Sequence, residues 1–381
     1  MAERVTIGLR ATLGRLLGIP EERGDLAPEP RGALDLGDIV VERWLIDAQP
    51  ASRIPLNLYR PRGVAGRVPA IVMTCGHGES KSVAALTYVA RTYARAGVAC
   101  LLADPIGEEE RHPAGGMGTR EHDEPGVAYR SEWAGRSVMG KFVFDAMRGF
   151  DFLATRDWVD AERLGVAGNS LGGAVAGWVF ALEPRVRMAI VSGWGFSDHL
   201  VYHHGKHCTR VPNRKMRAVC SWDAYLRLGA AHAALLVMNG DADVIIDDDG
   251  SGRVWADTVA HLRAIDPKGG RLQTWFCPGG GHRPYHGHKR ALRFIHETLG
   301  TPRMTLDEIE ALGEVHYGTW CDEHGVALEP LYGTELHYRG IMLPDLGFAP
   351  LPREDLAVLS PEEVGGRDFT IDGWLAEGWT R

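Results

Sequence analysis

The stretch 163–173, RLGVAGNSLGG, constrains this chain more than any other. Leu164 to Ala167 is a short apolar run with a β-branched valine, the composition of a buried strand. Gly168-Asn169-Ser170-Leu171-Gly172 follows, a G-x-S-x-G sequence, and Gly173-Ala174-Val175-Ala176-Gly177-Trp178 then opens a helix of small residues. Strand, tight turn and helix in this order make G-x-S-x-G a nucleophile elbow. A serine at the tip of such a turn sits in strained backbone, and side chains beside it would collide with neighbouring main chain, so glycine flanks it. The following helix points its free N–H groups and its dipole at the same spot, which favours negative charge there. With 48 glycines in the chain, the pentapeptide alone also fits an incidental serine in an ordinary connection. Three features elsewhere decide between the two readings.

Each of the three lies at the end of an apolar, strand-like run. The first run, 69–75 (PAIVMTC), leads into Gly76-His77-Gly78-Glu79-Ser80, where a glycine turn places a backbone N–H, that of Glu79, toward the serine as half of an oxyanion hole. Leu171, the residue after the serine, supplies the other half. The second run, 233–239 (AALLVMN), leads into Gly240-Asp241-Ala242-Asp243. Asp241, Asp243, Asp247 and Asp248 compete for one role there, and Asp243 lies far enough round the turn to reach back over the sheet. The third run, 271–277 (RLQTWFC), leads into Pro278-Gly279-Gly280-Gly281-His282. A glycine loop carries an imidazole over the sheet edge, while His286 and His288 fall toward the next helix. Ser170, Asp243, His282 is the chain order Ser…Asp…His of an acyl-transfer triad on a strand–helix scaffold.

The other segments are less specific. Residues 38–46 and 54–59 read as an antiparallel pair, 83–96 and 138–155 as helices, and 98–103 and 187–192 as buried strands. Residues 108–133 are polar and read as a long surface loop, with Glu108, Glu109 and Glu110 as a solvated face. His77 and Trp194, at two of the strand ends, are candidate substrate-contacting residues. His203, His204, His207 and Cys208 invite a zinc reading, but H-H-x-x-H-C lacks the separated ligand pairs of a structural site, so they read as polar groups on a pocket rim and no metal is expected. Thr305-Leu306-Asp307-Glu308 is a capping box. The rest of the segment after Gly300 reads as an extension packed on the body or on a neighbouring subunit, through which a homo-oligomer would form.

Net charge is −8 without a basic block, which argues against a nucleic-acid partner, and no run of eighteen apolar residues predicts a membrane span. Val5, Leu9, Leu13 and Leu16 follow helical spacing, so the N-terminus reads as a docked amphipathic helix and not as a secretory signal. Cys75, Cys100, Cys208, Cys220, Cys277 and Cys321 are widely spaced without C-x-x-C, as in the reduced thiols of a cytoplasmic protein.

Gly76-His77-Gly78, Asp104-Pro105-Ile106-Gly107 with Glu110-Arg111, the elbow 168–173, Gly240 to Asp243 and Gly280-Gly281-His282 together give a chain that resembles the α/β-hydrolase superfamily. Within it, the chain is similar to the bacterial branch of acetyl xylan esterases and dienelactone-hydrolase-like proteins. The resemblance covers about residues 38–299, between an N-terminal helix and linker (1–37) and the C-terminal extension (300–381). It implies a mostly parallel, eight-stranded sheet with helices on both faces. It also implies a cofactor-free serine esterase in which Ser170 is nucleophile, His282 base, Asp243 its orienter, and the N–H groups of Leu171 and Glu79 the oxyanion hole. The His- and Arg-rich section 193–232 predicts short acyl groups on a polar alcohol in a small-molecule ester. The same triad serves C–C hydrolysis of activated diketones or peptide hydrolysis, although no propeller-sized segment precedes the domain in this sequence. A non-catalytic binding protein on the fold would not need serine, acid and histidine together.

Overall fold

The computed structural model describes residues 2–49, 52–327 and 341–376. In chain order its elements are α1 (Ala2–Leu16), β1 (Glu29–Asp35), β2 (Ile39–Gln49), β3 (Ser52–Pro61), β4 (Val68–Thr74), α2 (Ala84–Arg95), β5 (Ala99–Ala103), α3 (Pro125–Trp133), α4 (Val138–Ala154), β6 (Val159–Asn169), α5 (Leu171–Leu182) and β7 (Val186–Ser192). Then come α6 (Asp198–Tyr202), α7 (His207–Arg217), α8 (Trp222–Ala230), β8 (Ala234–Gly240), α9 (Arg253–Ile265), β9 (Leu272–Cys277) and α10 (Lys289–Thr298). The C-terminal part adds α11 (Leu306–Ala311), β10 (Glu314–His316), α12 (Tyr317–His324), β11 (Met342–Pro344) and α13 (Ile371–Ala376).

The main sheet runs β1-β2-β3-β5-β4-β6-β7-β8-β9. It has nine strands, not the eight expected: β1 lies ahead of residue 38 and pairs antiparallel with β2. Its alternating burial and its Gly32 hide it from a search for apolar runs, because an edge strand keeps one face in water. From β5 to β9 every pairing is parallel. These central strands read as continuous apolar runs because helices cover both faces. Along β4, Ala70 and Val72 pack toward α4 and α5, while Ile71 and Met73 pack toward α2 and α10, the period-two alternation of a strand.

Two parts of the sequence reading are corrected. The acids Glu108–Glu110 are buried, not solvated. Lys81 Nζ donates to Asp104 Oδ2 at 2.7 Å and to Glu110 Oε2 at 2.5 Å. Glu110 Oε1 accepts from the N–H groups of Val358 and Leu359 at 2.8 and 2.7 Å. Glu109 accepts from the Ser80 and Ser82 hydroxyls and from Arg353. A charge run reads as exposed when its partners are out of view, and here they lie far away in sequence. Second, residues 108–133 are not one open loop. Glu108 accepts from the Thr119 and Arg120 N–H groups, and the segment closes on α3.

The described part of the C-terminal extension packs on the body. Thr305 and Glu308 form the capping box that starts α11. Trp320 of α12 packs edge-on against Tyr88 of α2 at 5.5 Å and donates its indole N–H to the Phe348 carbonyl at 2.8 Å. Truncation to alanine opens a cavity and frees a buried carbonyl, so Trp320→Ala should cost about 3–5 kcal/mol in urea unfolding with secondary structure retained. A second prediction comes from His286, whose ring is fully buried and held near pKa 3 by desolvation. Its unfolded-state value is about 6.5. The folded chain therefore binds fewer protons than the unfolded one between those values, and this group withdraws stability as pH falls below about 6.5. At pH 5 the loss relative to pH 7 is about 2 kcal/mol, and His286→Leu should remove that part of the acid lability in paired denaturation series at the two pH values.

Candidate active site

Ser170 stands between β6 and α5 with φ 58° and ψ −119°. That backbone is tolerated because its surroundings hold it on both sides. The Ser170 N–H donates to the Ser192 carbonyl at 3.0 Å, and the Ser170 carbonyl accepts from the Ala174 N–H at 2.9 Å. A Cβ on Gly168 would lie 2.5 Å from the Gly172 carbonyl oxygen, and one on Gly172 would overlap the Thr74 carbonyl at the end of β4. The flanking glycines thus let the elbow fold back on itself and press against β4. Leu171 is the first residue of α5, so its N–H belongs to the turn of donors that have no partner inside the helix.

The acid and the imidazole come from two loops that are zipped together. A Cβ on Gly240 would strike the Gly280 and Gly281 carbonyls, so the loop after β9 can lie directly on the end of β8. The Ala242 N–H donates to the Gly280 carbonyl at 2.9 Å, and the Gly279 N–H donates to Asp241 Oδ1 at 2.7 Å. This brings His282 Nδ1 2.7 Å from Asp243 Oδ2, with both side chains buried. An ionised carboxylate only accepts, so Nδ1 carries the proton in this pair. Asp243 Oδ1 accepts from the N–H groups of Ile245 and Ile246 at 3.0 and 3.2 Å, which fixes the carboxylate plane. A point one Cβ bond from Gly193 lies 3.0 Å from His282 Cε1 and 3.1 Å from the Ser170 nitrogen, so imidazole and elbow flank the same glycine.

The competing acids have other partners. Asp241 ties down the His282 loop, Asp247 accepts from the Gly252 and Val254 N–H groups at the start of α9, and Asp248 pairs with His199 at 2.6 Å. Of the rival histidines, His286 is fully buried and His288 caps α10. The Glu79 N–H, expected to face the serine, instead donates to the Gly76 carbonyl at 3.2 Å within its own turn, and the Glu79 carboxylate accepts from the Gly76 N–H at 2.5 Å. Four residues cannot present that N–H outward and close the turn with it at once.

Ser192, Tyr285 and Asn169 were not singled out from the sequence. The Ser192 hydroxyl donates to Asn169 Oδ1 at 2.9 Å and accepts from the Tyr285 N–H at 2.8 Å, while the Tyr285 hydroxyl donates to the Gly281 carbonyl at 2.8 Å. Together they brace the His282 loop against the elbow strand. A serine at a strand end and a tyrosine three residues past a histidine carry no motif that would have flagged them.

Histidines gather over this edge of the sheet. Trp194 is buried, its ring edge-on to His204 at 5.1 Å. Burial and then His282 hold His204 down to about 4, and burial holds His122 down to about 3. His77 is pushed well below its ordinary value by burial and by neighbouring His122, on which its ring stacks at 5.5 Å. These rings are therefore neutral at physiological pH. His77 Nε2 lies 3.1 Å from Cys208 Sγ, whereas His203 stacks on His199 at 4.7 Å. The histidine-rich string thus separates in space. The 770 Å³ cavity lined by Leu236, Val259, Leu262, Leu272 and Phe294 is remote from the Ser170 edge, on the α9–α10 side of β8 and β9.

Comparison with known proteins agrees with this architecture. The prolyl oligopeptidase family model matches residues 120–300. The Bacillus subtilis (strain 168) protein YtaP is 23% identical over 192 residues, which span 48% of this chain and 62% of YtaP, less than two thirds of that relative. Among solved structures, an acetyl xylan esterase from Paenibacillus sp. R4 superposes with a TM-score of 0.53 and 19% identity over 77% of this chain and 94% of the other. Methylesterase BT1017 gives 0.64 and 15% over 99% and 73%, and a glucuronoyl esterase from Solibacter usitatus gives 0.56 and 17% over 76% and 91%. At these identities the likeness is one of fold, and no helix among the described residues is long and apolar enough to cross a membrane. With its mostly parallel sheet and its strained serine between β6 and α5, the chain has the α/β-hydrolase fold that these structures share.

Proposed function

We propose that the protein is a serine hydrolase of carboxylic esters, with Ser170 as nucleophile, His282 as general base and Asp243 as the group that orients it. The observation that carries this reading is the 2.7 Å His282–Asp243 pair beside a serine held in strained backbone. His282 Nε2 takes the Ser170 proton as Oγ attacks the ester carbonyl, and the Asp243 carboxylate holds Nδ1–H and stabilises the imidazolium. The oxyanion of the tetrahedral intermediate is met by the Leu171 N–H at the start of α5, a donor worth about 3 kcal/mol in transition-state stabilisation. A second donor comes from the turn after β4; for Glu79 to serve, its bond to Gly76 must open. Imidazolium returns the proton to the leaving alcohol. Water then attacks the acyl-enzyme by the same route.

The substrate reading follows from the side chains over the site. His77, His204 and Trp194, with Lys206 and Arg210 nearby, offer polar contacts at the site. Each acyl CH₂ left unburied forfeits about 0.8 kcal/mol. This favours a short acyl group, or a small alkoxy group, on a hydroxyl-bearing partner. The names of the structural relatives, acetyl xylan, methyl and glucuronoyl esterases, point the same way. The prolyl oligopeptidase model makes amide hydrolysis the second reading.

Ser170→Ala should lower kcat by about 10⁴-fold or more with unchanged circular dichroism. Asp243→Asn should approach that loss while Asp241→Asn keeps most activity; the reverse order would reassign the acid. In a nitrophenyl ester series from acetyl to decanoyl, run beside acetylated sugars, a prolyl-peptide amide and a diketone, kcat/KM should fall beyond about four acyl carbons. Rates that rise with chain length would overturn the short-acyl assignment. Amide or diketone turnover without ester turnover would move the protein to another hydrolase class.

A further inference from the structure

Cys208, at the start of α7, brings together groups that are far apart in sequence. Its Sγ lies 3.1 Å from His77 Nε2, on the turn after β4, and 3.8 Å from Asp123 Oδ1, on the short turn before α3. All three candidate ligand atoms lie within 4.8 Å of one another, and His77 and Cys208 are buried. Around a tetrahedral zinc ion, with Zn–S near 2.3 Å and Zn–N and Zn–O near 2.0–2.2 Å, ligand atoms stand about 3.3–3.6 Å apart. The two measured contacts fall within about half an ångström of that spacing.

We propose that His77, Asp123 and Cys208 form a binding site for a divalent transition-metal ion of the zinc class. The donor set is one thiolate, one imidazole and one carboxylate, the chemistry that suits zinc better than calcium or magnesium. Two anionic ligands neutralise the ion's charge, which a buried position requires. On binding, the Cys208 S–H bond breaks, its electron pair forms the S–metal bond, and the proton leaves to water. Lys206 Nζ pairs with the other carboxylate oxygen, Asp123 Oδ2, at 2.5 Å and leaves Oδ1 for the ion. His122 is fully buried and stacked on His77 at 5.5 Å, with neither ring nitrogen in a hydrogen bond and Nδ1 3.7 Å from Glu108 Oε1. The other His–Asp cluster of the described residues, His199 with Asp248 and Asp249, has exposed acids and no thiol.

The ion would clamp α7 and the turn before α3 onto the turn that follows β4, beside Ser170. The sequence cluster at 203–208 hid this site because only Cys208 belongs to it. The test uses the untagged full chain, stripped by chelator and titrated with Zn²⁺ alone and with Co²⁺ alone. The expected result is one equivalent of either ion per chain, a near-ultraviolet thiolate-to-Co²⁺ charge-transfer band, and a higher thermal midpoint with Zn²⁺. In Cys208→Ala the band should vanish and Zn²⁺ affinity should fall by more than the about 10–100-fold that changes outside the ligand shell produce. Asp123→Asn keeps the thiol and should keep the band with weakened affinity, a readout that stands if the cysteine variant fails to fold. Absence of stoichiometric Zn²⁺ binding, or binding and a band equally strong in Cys208→Ala, would overturn the proposal.

Discussion

Ser170 sits at φ 58° and ψ −119°, a backbone that its own chain would not keep. Strain of this kind costs of order 1–3 kcal/mol and persists only where the surroundings over-determine it. Here β6 lies between β4 and β7, so the elbow is gripped from both sides: the end of β4 presses on Gly172, and Ser192 at the end of β7 accepts the Ser170 N–H. Sheet order, glycine placement and helix start are thus parts of one constraint. A β6 at the edge of the sheet would lose one of the two grips.

The same parallel sheet explains how acid and imidazole meet. β8 and β9 are neighbours, so the loops leaving their ends are adjacent, and Gly240 lets one lie on the other. Ser192 and Tyr285 then fasten the second loop back to β6. The proposed catalytic groups therefore sit on short, hydrogen-bonded segments at rigid strand ends, which is where precise geometry is affordable.

Beyond the site, a buried ionic group holds the molecule's outer parts together. Burial works against a charge on Lys81, but Asp104, Glu110 and Glu109 outweigh it and raise the ammonium above its ordinary value. Glu110 and Glu109 in turn hold the backbone at 358–359 and Arg353 of the C-terminal extension. Removing one partner of such a cluster leaves an uncompensated buried charge, so these residues couple the order of the extension to that of the β4–α2 turn. That turn carries His77 and Glu79, and through it the extension bears on the Ser170 edge.

Much of this was legible from residue order. The buried strands announced themselves as apolar runs, the elbow by glycines at both flanks of a serine, and Asp243 and His282 by their places after two strands. What was missed shares a physical cause. β1 is half exposed and shows no apolar run; Glu110 finds its cation at Lys81 and its amides past residue 350, and Glu109 finds Arg353; the Glu79 N–H is spent inside its own turn; Ser192 and Tyr285 brace a loop through contacts 93 residues apart. Local chemistry, namely which residues can turn, bury or cap, is written in neighbouring positions, and the sequence by itself determined the class of fold and the elbow. Which distant polar groups meet, as with His77, Asp123 and Cys208, depends on how strands order themselves across the sheet. Only the tertiary structure decided that, because a buried charge or thiol is defined by the partners packed against it and not by its neighbours along the chain.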